Sequence, residues 1–147
     1  GYDINNPHDP VFDNFSTDFA TAVKDADFVS IHVPAIPATK HLINMERLAL
    51  MKKDAILINT SRGIIVDENA VYDTVKSGLI KGAALDVFVN EPYVPINPEK
   101  DLRKLENIVM TPHLGSSTEE ACERMAVAAL ENITNLTLGN LHKMSLI

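Results

Sequence analysis

The sequence predicts an α/β fold, a doubly wound parallel sheet with helices on both faces. Three observations carry that expectation. Short β-rich apolar runs alternate along the chain with stretches of helical periodicity. The run at residues 55–59 (AILIN) is continuously apolar, as a strand buried on both faces of a parallel sheet requires. Polar residues gather just past the runs, where strands would end: Asp3, Pro34, Thr60 to Arg62, Asp86 to Glu91 and Thr111 to His113. Open parallel sheets bind their ligands at that edge.

Each element has a local reason. Tyr2 and Asp3 read as the end of a strand, and the Pro- and Asn-rich stretch after them as a loop. Residues 17–24 form a short amphipathic helix with Phe19, Ala22 and Val23 inward. Residues 28–33 (FVSIHV) are a strand that must stop at Pro34, which has no N–H for a ladder. A Pro-containing loop follows over 35–39, and Asn44 caps a helix running to Met51. After the 55–59 strand, Asp67 opens a helix with Val71 and Val75 inward, and Gly78 stops it. Residues 82–89 (GAALDVFV) are the next strand, ended by Glu91 and Pro92, and a proline-rich loop runs through Pro98. Residues 107–111 are a short strand before Pro112. Ser117 or Thr118 caps a long helix that carries Glu119 and Glu120 in its first turn, where the helix dipole favours them. Gly139 closes it.

Composition narrows the function. At 147 residues, 46% apolar and 22% charged, the chain suits one globular domain with a sizeable core. A net charge of −7 offers no basic footprint to nucleic acid or to an anionic membrane. No apolar run approaches a membrane span, and no basic-then-apolar leader opens the chain. The single cysteine, Cys122, excludes an internal disulfide framework and fits a small residue on a helix, so the cytoplasm is the expected location.

Several rim residues carry chemistry. Asp3, at the end of a second strand, suits the ribose hydroxyls of a dinucleotide and repels a 2′-phosphate, although an Asp capping a strand end looks the same locally. Arg62, just past a buried strand, needs an anion or solvent, and its planar fork suits a carboxylate; a surface Arg in a glycine turn is the plainer alternative. Glu91 and His113 follow two neighbouring strands. A carboxylate bonded to one imidazole nitrogen fixes the tautomer and steadies the imidazolium, ready for proton transfer near neutral pH. His113 alone could be a helix-flanking histidine; three such groups at one rim weaken that reading. His8, His32, His41 and His142 have no metal-ligand arrangement with Cys122 or a nearby carboxylate and are read as non-catalytic.

The ordered motifs are His32-Val33-Pro34; Asn59-Thr60-Ser61-Arg62-Gly63 with Val66-Asp67-Glu68; Gly82-Ala83-Ala84-Leu85-Asp86-Val87-Phe88 with Glu91-Pro92; and Thr111-Pro112-His113-Leu114-Gly115. Together they resemble the D-isomer-specific 2-hydroxyacid dehydrogenases over nearly the whole chain. The resemblance implies a Rossmann-type coenzyme domain beside a substrate domain, NAD as cofactor, a small 2-hydroxy or 2-oxo acid as substrate and a homodimer. It implies that Arg62 binds the substrate carboxylate and polarises the 2-oxo group. His113 would exchange the proton and Glu91 would pair with it. Asp3 would hold the adenosine ribose and select NAD over NADP. Val33 and Pro34 would border the adenosine, Thr60 and Ser61 the nicotinamide side, Asp86 would hold the carboxamide, and Gly115 would let the backbone pass close to the cofactor. Glu91 stands where formate dehydrogenases of this type carry Gln, which favours acid–base chemistry here.

The substrate stays open. The stretch from His113 to Thr118 is similar to the phosphoglycerate and glyoxylate or hydroxypyruvate branch, whereas Val33-Pro34-Ala35-Ile36-Pro37 is closer to D-lactate dehydrogenases. The family's glycine-rich phosphate turn is expected before Asp3 and is not found in the chain. The sheet is therefore expected to lack its first strand, with residues 1–139 a partial NAD-binding domain and 140–147 a tail returning toward a substrate domain. On that reading the chain is a fragment of a longer enzyme and inactive alone. Two other readings stand beside it: an NAD-binding corepressor of the same family, and a purely structural fragment.

Overall fold

The computed structural model describes residues 1–5, 10–140 and 143. His8 and His142 lie outside the described residues, as does the 140–147 tail apart from Asn140 and Lys143. The chain forms two units, Gly1–Pro112 and His113–Ile147.

The first unit holds α1 (Phe19–Val23), β1 (Phe28–Ile31), α2 (Met45–Leu48), β2 (Ile56–Asn59), α3 (Glu68–Lys76), β3 (Gly82–Leu85) and β4 (Ile108–Met110). The strands form one sheet in the order β1-β2-β3-β4, parallel throughout. This is the α/β parallel sheet that the alternation of elements predicts. The helices start where short polar side chains satisfy orphan N–H groups. Asp18 accepts from Thr21 N–H at 2.8 Å, Asn44 from Arg47 N–H at 3.0 Å, and Asp67 from Asn69 and Ala70 N–H at 3.0 and 3.2 Å. Gly78 follows α3 at φ +70°, a left-handed stop open to glycine.

The register sorts the side chains into two faces. Val29, Ile31, Leu57, Asn59, Ala83, Leu85, Ile108 and Met110 share one face, where α1, α2 and α3 complete a single core around Leu48, Leu57, Ile65 and Val71. Phe28, Ser30, Ile56, Ile58, Ala84 and Val109 share the other. On that face Phe28 and Val109 are 65% and 63% exposed, and Ile56 and Ile58 are half-buried. The expectation that β2 is buried on both faces is therefore corrected: within this unit the helices gather on one face.

Three strands stop sooner than their apolar runs suggest. β1 ends at Ile31, so His32 lies past the strand and is exposed, with its Nε2 2.8 Å from Ser30 Oγ. β4 spans only Ile108–Met110. β3 ends at Leu85 and not at Val89, because the N–H groups of Phe88 and Val89 go to the side chains of Glu91 and Glu68 and not to a neighbouring strand. Likewise the helix opened by Asn44 ends at Leu48, and the loop at 35–39 contains a single tight turn, Pro37–Thr39. Tyr2 makes one parallel bridge with Ser16, apart from the main sheet. The second unit contains α4 (Glu119–Thr137), capped by Thr118 and followed by Gly139 at φ +74°.

Candidate active site

The site starts from Asn59, the last residue of β2 and fully buried. A polar side chain with no exposure must find partners, and Asn59 finds them in the turn that follows it. Its Oδ1 accepts from Ser61 N–H at 3.0 Å, and its Nδ2 donates to the Arg62 carbonyl at 3.1 Å. The Thr60-Ser61-Arg62 turn is thus stapled at the carboxyl edge of the sheet. Ser61 Oγ donates to the Val33 carbonyl at 2.6 Å, which joins two of the expected cofactor residues across β1 and β2. Pro34 lies beside them, its carbonyl accepting from Thr39 Oγ1 at 2.6 Å. Thr60 and Arg62 are exposed, and Arg62 Nη1 donates to the Ser61 carbonyl at 2.7 Å.

Gly63 explains how this turn meets the next one. A Cβ there would stand 2.0 Å from the Phe88 carbonyl carbon, 2.2 Å from its oxygen and 2.5 Å from Val89 N. Only a residue without a side chain allows two backbones to pass so closely. The Arg62 turn and the loop that carries Glu91 are therefore packed backbone to backbone. Glu91 Oε1 accepts from Phe88 N–H at 2.9 Å, so the carboxylate folds onto its own loop and stands exposed at the rim. Val89 N–H donates to Glu68 Oε1 at 2.8 Å. Burial pushes the Glu68 carboxyl above the usual glutamate range, with the Val89 bond opposing and the Asp67 charge adding to it.

A hollow of about 240 Å³ opens beside Glu91, walled mainly by Phe88, Tyr93, Arg103, Met110 and Thr111. The Phe88 and Tyr93 rings meet at 4.8 Å, and the Tyr93 hydroxyl accepts from Leu102 N–H at 3.1 Å. Asp86, half-buried past β3, accepts from Thr111 Oγ1 past β4, so these strand ends are also tied together.

The other expected residues stand apart. Asp3 is exposed beyond the Tyr2–Ser16 bridge, with Oδ1 accepting from Asn5 N–H at 2.9 Å in a local turn. His113 and Gly115 belong to the second unit. His113 sits at φ +54°, a left-handed conformation in which His is over-represented and which recurs at functional sites. A Cβ on Gly115 would meet nothing, so no packing within the described residues demands glycine there. Asn59, Glu68 and Tyr93 carry no role in the sequence reading. Asn59 alone had a visible signal, a polar residue closing an apolar strand.

Residues 1–115 match the model of the D-isomer specific 2-hydroxyacid dehydrogenase, NAD binding domain. The chain belongs to the D-isomer-specific 2-hydroxyacid dehydrogenase family. It is 48% identical to a glyoxylate reductase of Thermococcus litoralis over 124 residues, 84% of this chain and 36% of that protein. It is 45% identical to a D-3-phosphoglycerate dehydrogenase of Methanocaldococcus jannaschii over 118 residues, 80% of this chain and 22% of that protein. Among solved structures, the NAD-complexed D-isomer specific 2-hydroxyacid dehydrogenase of Lactobacillus delbrueckii superposes with a TM-score of 0.78 at 33% identity, over 94% of this chain and 45% of that one. The chain spans about a third of the length of the glyoxylate reductases it matches. Within this 2-hydroxyacid dehydrogenase domain, the matched residues include the Asn59-to-Gly63 turn, the Glu91 loop and the segment from Thr111 to Gly115.

Proposed function

We propose that the full-length protein containing this chain is an NAD-dependent oxidoreductase that moves a hydride between nicotinamide and a small D-2-hydroxy or 2-oxo acid. The observation that carries the reading is the backbone contact between the Arg62 turn and the Glu91 loop at the carboxyl edge of a parallel sheet. An arginine and a glutamate are carried there by two segments in direct backbone contact.

The donor set fits the sugar and base ends of a dinucleotide. Asp3 keeps one carboxylate oxygen outside its Asn5 turn for the ribose hydroxyls, and its charge disfavours a 2′-phosphate. Val33 and Pro34 would border the adenosine. Thr60 and Ser61 would line the nicotinamide side, Asp86 would accept from the carboxamide, and Gly115 would leave room for the backbone to pass the cofactor. Bound NADH supplies the hydride that reduces the 2-oxo carbon.

Arg62 grips the substrate carboxylate in its fork and polarises the 2-oxo oxygen. His113 gives its proton to that oxygen, and in the reverse direction takes the proton of the hydroxyl. Glu91 is the carboxylate assigned to His113, where it would orient the ring and stabilise the imidazolium. The substrate belongs to the phosphoglycerate, glyoxylate, hydroxypyruvate or lactate class, in line with the names of the relatives. The proposal extends to a cytoplasmic homodimer; among the described residues no helix is long and apolar enough to cross a membrane.

The test is NADH oxidation by the full-length protein with glyoxylate, hydroxypyruvate, pyruvate and phosphohydroxypyruvate. Turnover of at least one is expected. Tight NADH binding with no turnover of any would refute the enzymatic reading in favour of a binding protein. Light scattering on a sizing column tests the dimer.

A further inference from the structure

Glu68 is a buried carboxyl that the chemistry above does not use. It opens α3, is only 5% exposed, and turns inward to accept from Val89 N–H, 21 positions along the chain. Its Oε2 is buried and bonded to nothing among the described residues. Burying a carboxyl for one backbone bond is a poor exchange for stability alone, since desolvation costs more than a single hydrogen bond returns. The place of the bond is what gives it meaning. Phe88 and Val89 present consecutive N–H groups; one is held by Glu91 and the next by Glu68. On the same stretch Gly63 presses against the Phe88 carbonyl. The loop carrying Glu91 is therefore gripped from the Arg62 turn, from its own carboxylate and from the first residue of α3.

We propose that Glu68 is a positioning residue for the reaction: by holding Val89 it sets where the Glu91 carboxylate stands. This rests on the roles of Glu91 and His113 proposed above. The clamp needs an acceptor at Oε1 and no negative charge, so the amide of Gln serves as well as the acid. Asp, one methylene shorter, cannot span the distance that Glu68 bridges at 2.8 Å. Met is unbranched and of similar length, and its thioether sulfur is only a weak acceptor.

The test uses the full-length enzyme and whichever 2-oxo acid it reduces fastest. Glu68→Met, Glu68→Asp and Glu68→Gln are each made alone and together with Glu91→Gln, and kcat, KM, NADH affinity and melting temperature are measured. Loss of the clamp is expected to lower kcat roughly tenfold or more in Glu68→Met and Glu68→Asp, since small misplacements of a catalytic group carry penalties of that order, with NADH affinity unchanged. Glu68→Gln stays within about twofold of wild type because the acceptor at Oε1 survives. In the Glu91→Gln background the Met and Asp changes have little further effect, because two residues acting through one group are not additive. An equal loss in both backgrounds, or a lower melting temperature with kcat intact, overturns the proposal. If Glu68→Met does not fold, Glu68→Asp decides on the same criteria. A folded wild type that binds NADH but reduces no 2-oxo acid overturns the parent reading and this one together. A wild type that turns over while its Glu68 variants keep full kcat overturns this one alone.

Discussion

Replacing Gly63 by Ala adds a single methyl group at a point where the structure has no room for it. The new Cβ would lie 2.0 Å from the Phe88 carbonyl carbon and 2.2 Å from its oxygen. Carbon atoms in contact sit about 3.5 Å apart or more, so the two segments must part by about 1.5 Å. The obstructing atoms are backbone, so no side chain can rotate aside. The Phe88 and Val89 N–H groups are already engaged with Glu91 and Glu68, and that separation strains both bonds. Overpacking a dense interior typically costs about 1–3 kcal/mol, and a clash against two tied-down backbone units belongs at about 3 kcal/mol. The full-length Gly63→Ala protein is expected to melt several degrees below wild type. Well below its melting point, its kcat/KM for the 2-oxo acid should fall on the order of a hundredfold, as displacement of a catalytic group by an ångström does. Thermal melts and NADH-oxidation rates on the two proteins measure both effects. Wild-type melting temperature and wild-type kcat/KM together would refute the argument that this contact joins the Arg62 and Glu91 segments. Gly115→Ala is the stability control: its Cβ meets nothing, so its melting temperature should stay within measurement error of wild type.

Three further outcomes follow from the same frame. Asn59→Ala removes the two bonds that staple the Arg62 turn and leaves Ser61 N–H and the Arg62 carbonyl without that partner; a stability loss of about 2 kcal/mol in denaturant titration and a raised KM for the 2-oxo acid are expected. Arg62→Lys keeps the charge but not the planar fork, so KM should rise roughly tenfold or more with little change in melting temperature; an unchanged KM would argue against a bidentate carboxylate contact. Glu68 has its carboxyl pushed above the usual glutamate range by burial, so the folded chain binds its proton more tightly than the unfolded chain does. As pH rises from the ordinary glutamate value through the raised one, wild type therefore loses stability. Glu68→Gln cannot titrate, so its stability relative to wild type should climb across that interval. A stability difference that is flat with pH would contradict the assignment.

The Rossmann-type parallel sheet and most of the rim were legible because they rest on local signals. Asp67 before α3 and Gly78 after it bound that helix by capping chemistry that needs no distant partner. The apolar run ending in Asn59 and the motif positions of Arg62, Glu91 and His113 likewise lie in short stretches of chain. Asp3 is the instructive residue: its visible role is a turn to Asn5, and nothing near it in the chain distinguishes that turn from a ribose contact.

Order of elements and caps were thus determined by the amino-acid sequence alone, since each depends on neighbours a few positions away. Tertiary structure decided the rest. The run of residues 82–89 stops being strand at Leu85 because Glu68, far back in the chain, takes the Val89 N–H. Gly63 is required by the Phe88 backbone and not by its own turn. Ile56 and Ile58 are half-buried because the helices of the first unit share one face of the sheet. Hydrogen-bond donors, close backbone approach and burial are all settled by groups distant in sequence, and no local pattern of residue types encodes which distant group arrives.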